Sequence, residues 1–272
     1  MVELTTHPLV FGFKATMAET GFKLDLDEKF QHLSHAPIVE AVIHWQARAQ
    51  QPFEPDAVQA ELSIKLADYQ SEQLHRVHLE AKVSGQGDAP VVQHEKDWHG
   101  FRLSSADKLH IVQFTRDGVA FSRLQPYQDW DHFAASAKSA WRAFVEIAVP
   151  LEIQRLGVRF INHIPVAAPE ILRDVLRDPP TCPSNLPLND FVYQSTFSVP
   201  DQPFGIRVIK VMQPQQMGQP LSSGLLLDCD VYTTKPITCE ELAVDEALTK
   251  MRWLKNKIFF ALLTESAVQS FL

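Results

Sequence analysis

Ile38-Val39-Glu40-Ala41-Val42-Ile43-His44-Trp45 is rich in β-branched residues and alternates, with Val39, Ala41, Ile43 and Trp45 on one side and Glu40, Val42 and His44 on the other. Such a run is a strand with one apolar and one mixed face, which suits a sheet covered on a single side. A second run, Arg155 to Ile164, has the same character. Laying Ile38–Trp45 over Gly157–Ile164 puts Val39 on Val158, Val42 on Ile161 and His44 on His163, and sets Glu40 opposite Arg159.

The elements that follow each run come in the same order. After the first, Pro55 opens a helix with Val58, Leu62 and Leu66 as its apolar stripe. Extended segments are expected at about 75–83, 90–96, 99–104 and 108–124, the last broken by the hairpin signal Asp117-Gly118. A long helix then starts after Gln128, with Asp129 or Asp131 as N-cap, the stripe Phe133, Ala137, Ala140, Trp141, Phe144 and Ala148, and Pro150 as its stop. After the second run come a short helix at Pro169 to Leu176, a Pro-rich loop from Pro179 to Pro187, and strands at about 189–199, 204–213 and 222–233. Thr238-Cys239-Glu240-Glu241 reads as a capping box opening a final long helix to about Glu265.

The expected fold is therefore α+β: a curved antiparallel sheet with long helices on one face, built as two repeats of strand, helix, meander and helix. This order resembles the duplicated saddle of the TATA-box-binding-protein type, a likeness of architecture that says nothing about activity. Residues 1–35 read as an N-terminal arm, 36–150 as the first α+β half and 151–272 as the second, the halves sharing one continuous sheet. On the bare face Glu40 and His44 of one half and Arg159 and His163 of the other form the candidate binding residues, with Glu40 pairing with Arg159 across the pseudo-twofold axis.

Composition narrows the function classes. A net charge of −8 and 45% hydrophobic content describe an acidic chain with ample core material, and the acidity disfavours nucleic acid as a partner. Cys182, Cys229 and Cys239 follow no C-x-x-C spacing, and the first residues carry an early acid and no basic segment leading into an apolar run. Both features suit a cytoplasmic protein. No stretch approaches the roughly 18 apolar residues of a membrane span.

No catalytic signature is present: there is no G-x-S-x-G, no H-E-x-x-H and no glycine-rich phosphate loop, Gly85-Gln86-Gly87 reading as a turn. The histidines do not assemble a metal site, since His75 and His78 on a strand point to opposite faces, and His94 and His99 flank an apparent hairpin at Asp97-Trp98 without a carboxylate at ligand spacing. Trp130, Phe133, Trp141 and Phe144 share a helical face and belong to the core. Arg155 and Arg159 share a strand face and are expected to pair with Glu40 or Glu152. No cofactor is implied.

Ala36-Pro37-Ile38-Val39-Glu40-Ala41-Val42, the pattern Tyr127-x-x-Trp130-x-x-Phe133 and the stretch Arg155 to Pro165 together resemble a sporadically distributed, functionally uncharacterised bacterial family of about this length. That resemblance transfers no catalytic residues, and its patchy distribution points to accessory systems such as mobile-element, defence or toxin-neutralising ones. The function expected from the sequence is a non-enzymatic interaction module whose open sheet face or edge receives another protein or a second copy. The alternative is a small-molecule binder or enzyme using a cavity between sheet and helices, with His44, Arg159 and His163 as its polar groups.

Overall fold

The computed structural model describes residues 21–82, 91–166, 171–181, 183, 186, 188–213 and 224–272. The two alternating runs lie side by side at the middle of the sheet. Strand β1 (Ile38–Gln46) pairs antiparallel with β6 (Arg155–Pro165), Val42 facing Arg159 and Ile43 facing Val158. Outward from β1 come β5 (Gly118–Leu124), β4 (His110–Thr115), β3 (Val91–Ser105) and β2 (Tyr69–Lys82). Outward from β6 come β9 (Gly224–Thr233), β8 (Phe204–Gln213) and β7 (Phe191–Ser198). Among the described residues the chain is α+β, with one nine-stranded antiparallel sheet and five helices.

Helix α1 (Pro55–Lys65) has proline in its first turn, where no intrahelical N–H bond is lost, and buries Val58 and Leu62. Helix α2 (Trp130–Ala148) is capped by Asp129, whose carboxylate accepts from the His132 N–H at 2.9 Å, and ends at Val149 in the left-handed conformation just before Pro150. Helices α3 (Leu172–Val175) and α5 (Glu265–Gln269) are short. The last long helix, α4 (Glu241–Leu262), does not use the expected capping box: Glu240 is its N-cap and makes no side-chain cap bond. A two-way backbone bridge between Ile153 and Ile237 holds the chain extended there, so the N-cap falls two residues later than the box requires.

The core lies between one sheet face and these helices. Trp45 stacks on Trp141 at 5.5 Å, Phe121 meets Phe133 at 5.8 Å, and Phe133 also meets Phe160 on β6 at 5.9 Å. Helix α2 thereby spans the joint between the halves. Helices α2 and α4 run antiparallel, linked by Asp131 to Arg252, Lys138 to Asp245 and Arg142 to Glu241. Apolar burial supplies the stability, and these exposed pairs fix the pairing of the helices.

Two strands differ from expectation. The segments predicted at 90–96 and 99–104 are one strand, β3, running through Asp97-Trp98, with a bulge at His99, the extra residue where Leu74 faces Gly100 and His75 faces Trp98. Gly100 permits this run, since a Cβ there would lie 2.2 Å from the Phe114 carbonyl oxygen. The part of the expected arm that is described packs on α4: Phe30 stacks on Phe260 at 5.6 Å, and Lys257 pairs with Glu28 at 2.7 Å. Residues 1–20, Gly85-Gln86-Gly87, Pro169 and 214–223 lie outside the described residues.

Candidate functional site

Alternation along β1 and β6 sends Ala41, Ile43, Trp45, Val158, Phe160 and Asn162 toward the helices, so Glu40, His44, Arg159 and His163 all fall on the opposite face. The expected pairing of Glu40 with Arg159 does not form. Glu40 stands opposite Ile161, and Arg159 turns to β9, its Nε and Nη2 donating to the two carboxylate oxygens of Asp228 at 2.9 and 2.6 Å. That bidentate bond, with Asp230 and Glu40 contributing at longer range, holds the Arg159 pKa above its ordinary value. Arg155 likewise takes Asp230 at 2.7 Å rather than Glu40 or Glu152, and Arg207 on β8 takes the same carboxylate at 2.9 Å. The acids come from β9 because its Asp228 and Asp230 stand directly across from Ile161 and Arg159 on the same face.

This ladder satisfies its own charges. Arg155 and Arg207 also lie over the Tyr232 ring at 4.7 and 5.9 Å. His44 faces Gly157 and Ala120; its burial and the nearby Arg155 push its pKa down and keep the imidazole neutral at neutral pH. His163 donates its backbone N–H to Pro37 at 2.8 Å. A groove of about 710 Å³ runs over Gly118 and Ala120 on this face, with His44 and Gln46 on one side and Arg76, paired to Asp117 at 2.9 Å, on the other.

The cavity expected between sheet and helices exists, but His44, Arg159 and His163 are not in it. It has a volume of about 770 Å³ and lies where the start of α2, the second half of α4 and residues 30–38 meet β6. Six aromatic side chains line it, Phe30, Tyr127, Trp130, Phe160, Phe259 and Phe260, beside a comparable share of polar surface that includes Gln31, His35, Gln128 and Asn256. Lys255 and Tyr127 both present polar atoms to this surface without a protein acceptor or donor. Lys255 on α4 holds its ammonium 3.9 Å from the Phe160 ring centroid and has no ion-pair or hydrogen-bond acceptor. Desolvation, aided by Arg252, lowers its pKa from 10.5 to about 7. The Tyr127 hydroxyl is buried with no hydrogen-bond partner, and burial raises its pKa.

Three other polar side chains of the lining are held by the protein. Asn162, almost fully buried, donates its amide to the Phe160 and Leu227 carbonyls, the latter at 3.0 Å. Arg252 bonds Asp131 at 3.3 Å and lies over Trp130 at 5.7 Å, while Asp129 is committed to capping α2. The thiol of Cys229, also at the wall, is pushed up to about 12 by burial and is not a nucleophile at neutral pH. The cavity is therefore part aromatic and part polar, with one cation that lacks a charge partner. Among the described residues no group of three His, Cys, Asp or Glu gathers as a metal site; the side chains of His78 and His94 lie outside that set.

Sequence reasoning missed Lys255 because it sits in a charged stretch, Lys250 to Lys257, that reads as a solvated helix face. A signal was nevertheless present in the three stretches that carry the family resemblance. Pro37 and Ile38, Tyr127 and Trp130, and Phe160 and Asn162 all line this one cavity. Comparison with family models, with curated proteins and with solved structures finds no match for this chain.

Proposed function

We propose that the protein binds a small organic anion with a flat apolar body in the cavity between β6, α2 and α4. The observation that carries this reading is the Lys255 amine, set among aromatic rings with no acceptor of its own. An ammonium in such surroundings costs stability unless something pairs with it, and a carboxylate or comparable anion does so while its body stacks between Phe160, Trp130 and Phe260. The volume suits a ligand of that size, and Tyr127 supplies a second donor.

The test is calorimetric titration with 2-naphthoate as probe, on the wild type and on Lys255→Met. Saturable binding that weakens at least about tenfold in the variant is the expected result. Equal affinity in both, or no binding to the wild type, overturns the reading.

The same proposal includes the duplicated saddle. Its support is the mirrored order of strands about the β1 and β6 pair, together with the antiparallel ladder between α2 and α4, which repeats the antiparallel relation of the two central strands. Membership of the uncharacterised bacterial family, and a role in an accessory system, belong to this proposal as well. A second reading, an interaction module, is favoured by one observation: the outer strand β7 is uncharged and exposes Val192, Tyr193 and Phe197.

A further inference from the structure

We infer that β7 is a self-complementary edge through which two copies of the chain join their sheets, β7 of one running antiparallel to β7 of the other. The inference rests on the second reading above and is independent of the cavity, so its failure would leave the ligand proposal standing.

The two outer strands of the sheet are unlike. Among its described residues β2 carries Glu72, His75 and Arg76, and its partner β3 bulges beside it at His99. Charges and bulges are the devices that keep an exposed strand from pairing with another chain. Strand β7, Phe191-Val192-Tyr193-Gln194-Ser195-Thr196-Phe197-Ser198, has no charged residue and no proline, and it stays in register with β8 from Phe191 opposite Met212 to Ser198 opposite Gly205. Val192, Tyr193 and Phe197 are 74%, 53% and 43% exposed. Among the described residues, this edge leaves backbone groups without a strand partner beside these three apolar side chains.

Its order of residues selects the partner. A twofold axis normal to the sheet keeps each face on its own side, so each β7 residue meets one of the same face on the second copy. With the axis at Ser195, Tyr193 stands opposite Phe197 of the other copy, and the pair occurs twice. Gln194 then meets Thr196, and Val192 meets Ser198, also twice. Cross-strand aromatic pairs are among the stabilising ones in antiparallel ladders, and no like charges oppose each other although the chain carries −8 overall. The two exposed aromatics are placed symmetrically about Ser195, as pairing of the strand with itself requires.

Sedimentation equilibrium of the full chain across the micromolar range tests this. The wild type is expected to form a reversible dimer. Tyr193→Glu, which faces Lys210, and Phe197→Lys, each at an exposed position, should each raise the dimer dissociation constant at least about tenfold while leaving the thermal unfolding of the monomer in place. The double variant should recover the dimer, since the introduced side chains meet as opposite charges across the axis, and the recovered dimer should weaken with salt. A monomeric wild type, single variants that dimerise as the wild type does, or a double variant that stays monomeric would each overturn the inference.

Discussion

The two faces of this sheet handle charge in opposite ways. On the open face every arginine of the central ladder finds a carboxylate on a neighbouring strand: Arg159 takes Asp228, while Arg155 and Arg207 share Asp230. On the covered face, where desolvation is costlier, Lys255 is left without an acceptor. The exposed charges are the ones a binding surface would be expected to offer, yet they are already spent on one another. The half-buried Lys255 has no such partner. A matched ladder is explained by the architecture, whereas an unmatched, partly desolvated cation lowers stability and is kept where something outside the chain pairs with it.

The largest expected effect breaks the matched side. Asp230→Ala leaves two guanidiniums facing each other over Tyr232 and should cost about 2–3 kcal/mol in denaturant unfolding, discounted because Arg207 is substantially exposed. Its 2-naphthoate affinity should not change. A drop in affinity as large as that of Lys255→Met would show that the two faces are coupled. The next effect has the opposite sign. Lys255→Met replaces an unpaired ammonium by an apolar side chain of similar length and should raise stability by about 1–2 kcal/mol while removing the probe site. A destabilised variant would mean that Lys255 has an internal partner.

The pH dependence follows from the same lysine. Its folded pKa of about 7 lies below the ordinary 10.5, so between these values the unfolded chain holds a proton that the folded chain has released. Stability contributed by this group is therefore lowest below pH 7 and rises toward pH 10.5, a slope that Lys255→Met should erase. Anion binding runs the other way. It needs the ammonium, so the affinity for 2-naphthoate should be level below pH 7 and fall about tenfold per unit above it, equivalent to about 1.4 kcal/mol per unit. An affinity that stays level through pH 9 would exclude the lysine as the anion partner.

Much of the architecture was legible because it depends on local pattern. Alternation in Ile38–Trp45 and Arg155–Ile164 gave both central strands and assigned each side chain to its face, and Pro55, Asp129 and Pro150 marked helix ends through capping chemistry. What could not be read depends on register between distant strands. The carboxylates that hold Arg155 and Arg159 lie on β9, and only the alignment of β6 with β9 brings them opposite; Glu152, nearer along the chain, and Glu40, on the neighbouring strand, do not pair with them. The cavity is harder still, since its lining draws on five separate segments and its lysine looks solvated in one dimension. The capping box failed for a related reason: a bridge to Ile153, remote in sequence, overrides the local preference of Thr238 to Glu241.

The smallest predicted effect asks how tightly the open face is built. Tyr232 lies between Gly157 and Gly205 on the flanking strands, and a Cβ at position 205 would stand 2.6 Å from its ring. Gly205 leaves room for the ring and Gly157 for the Arg155 guanidinium, so that Arg155 and Arg207 cover the ring. Gly205→Ala should lift the ring and loosen both cation–π contacts, costing about 0.5–1 kcal/mol. The strand propensity gained by replacing glycine works against that loss, so the net sign reports which is stronger. Net stabilisation would mean that the ring has room to move and that the ladder stands on its ion pairs alone. Net loss would make Tyr232 the element that aligns both arginines on Asp230, and Asp230→Ala should then be less costly in the Gly205→Ala background than alone.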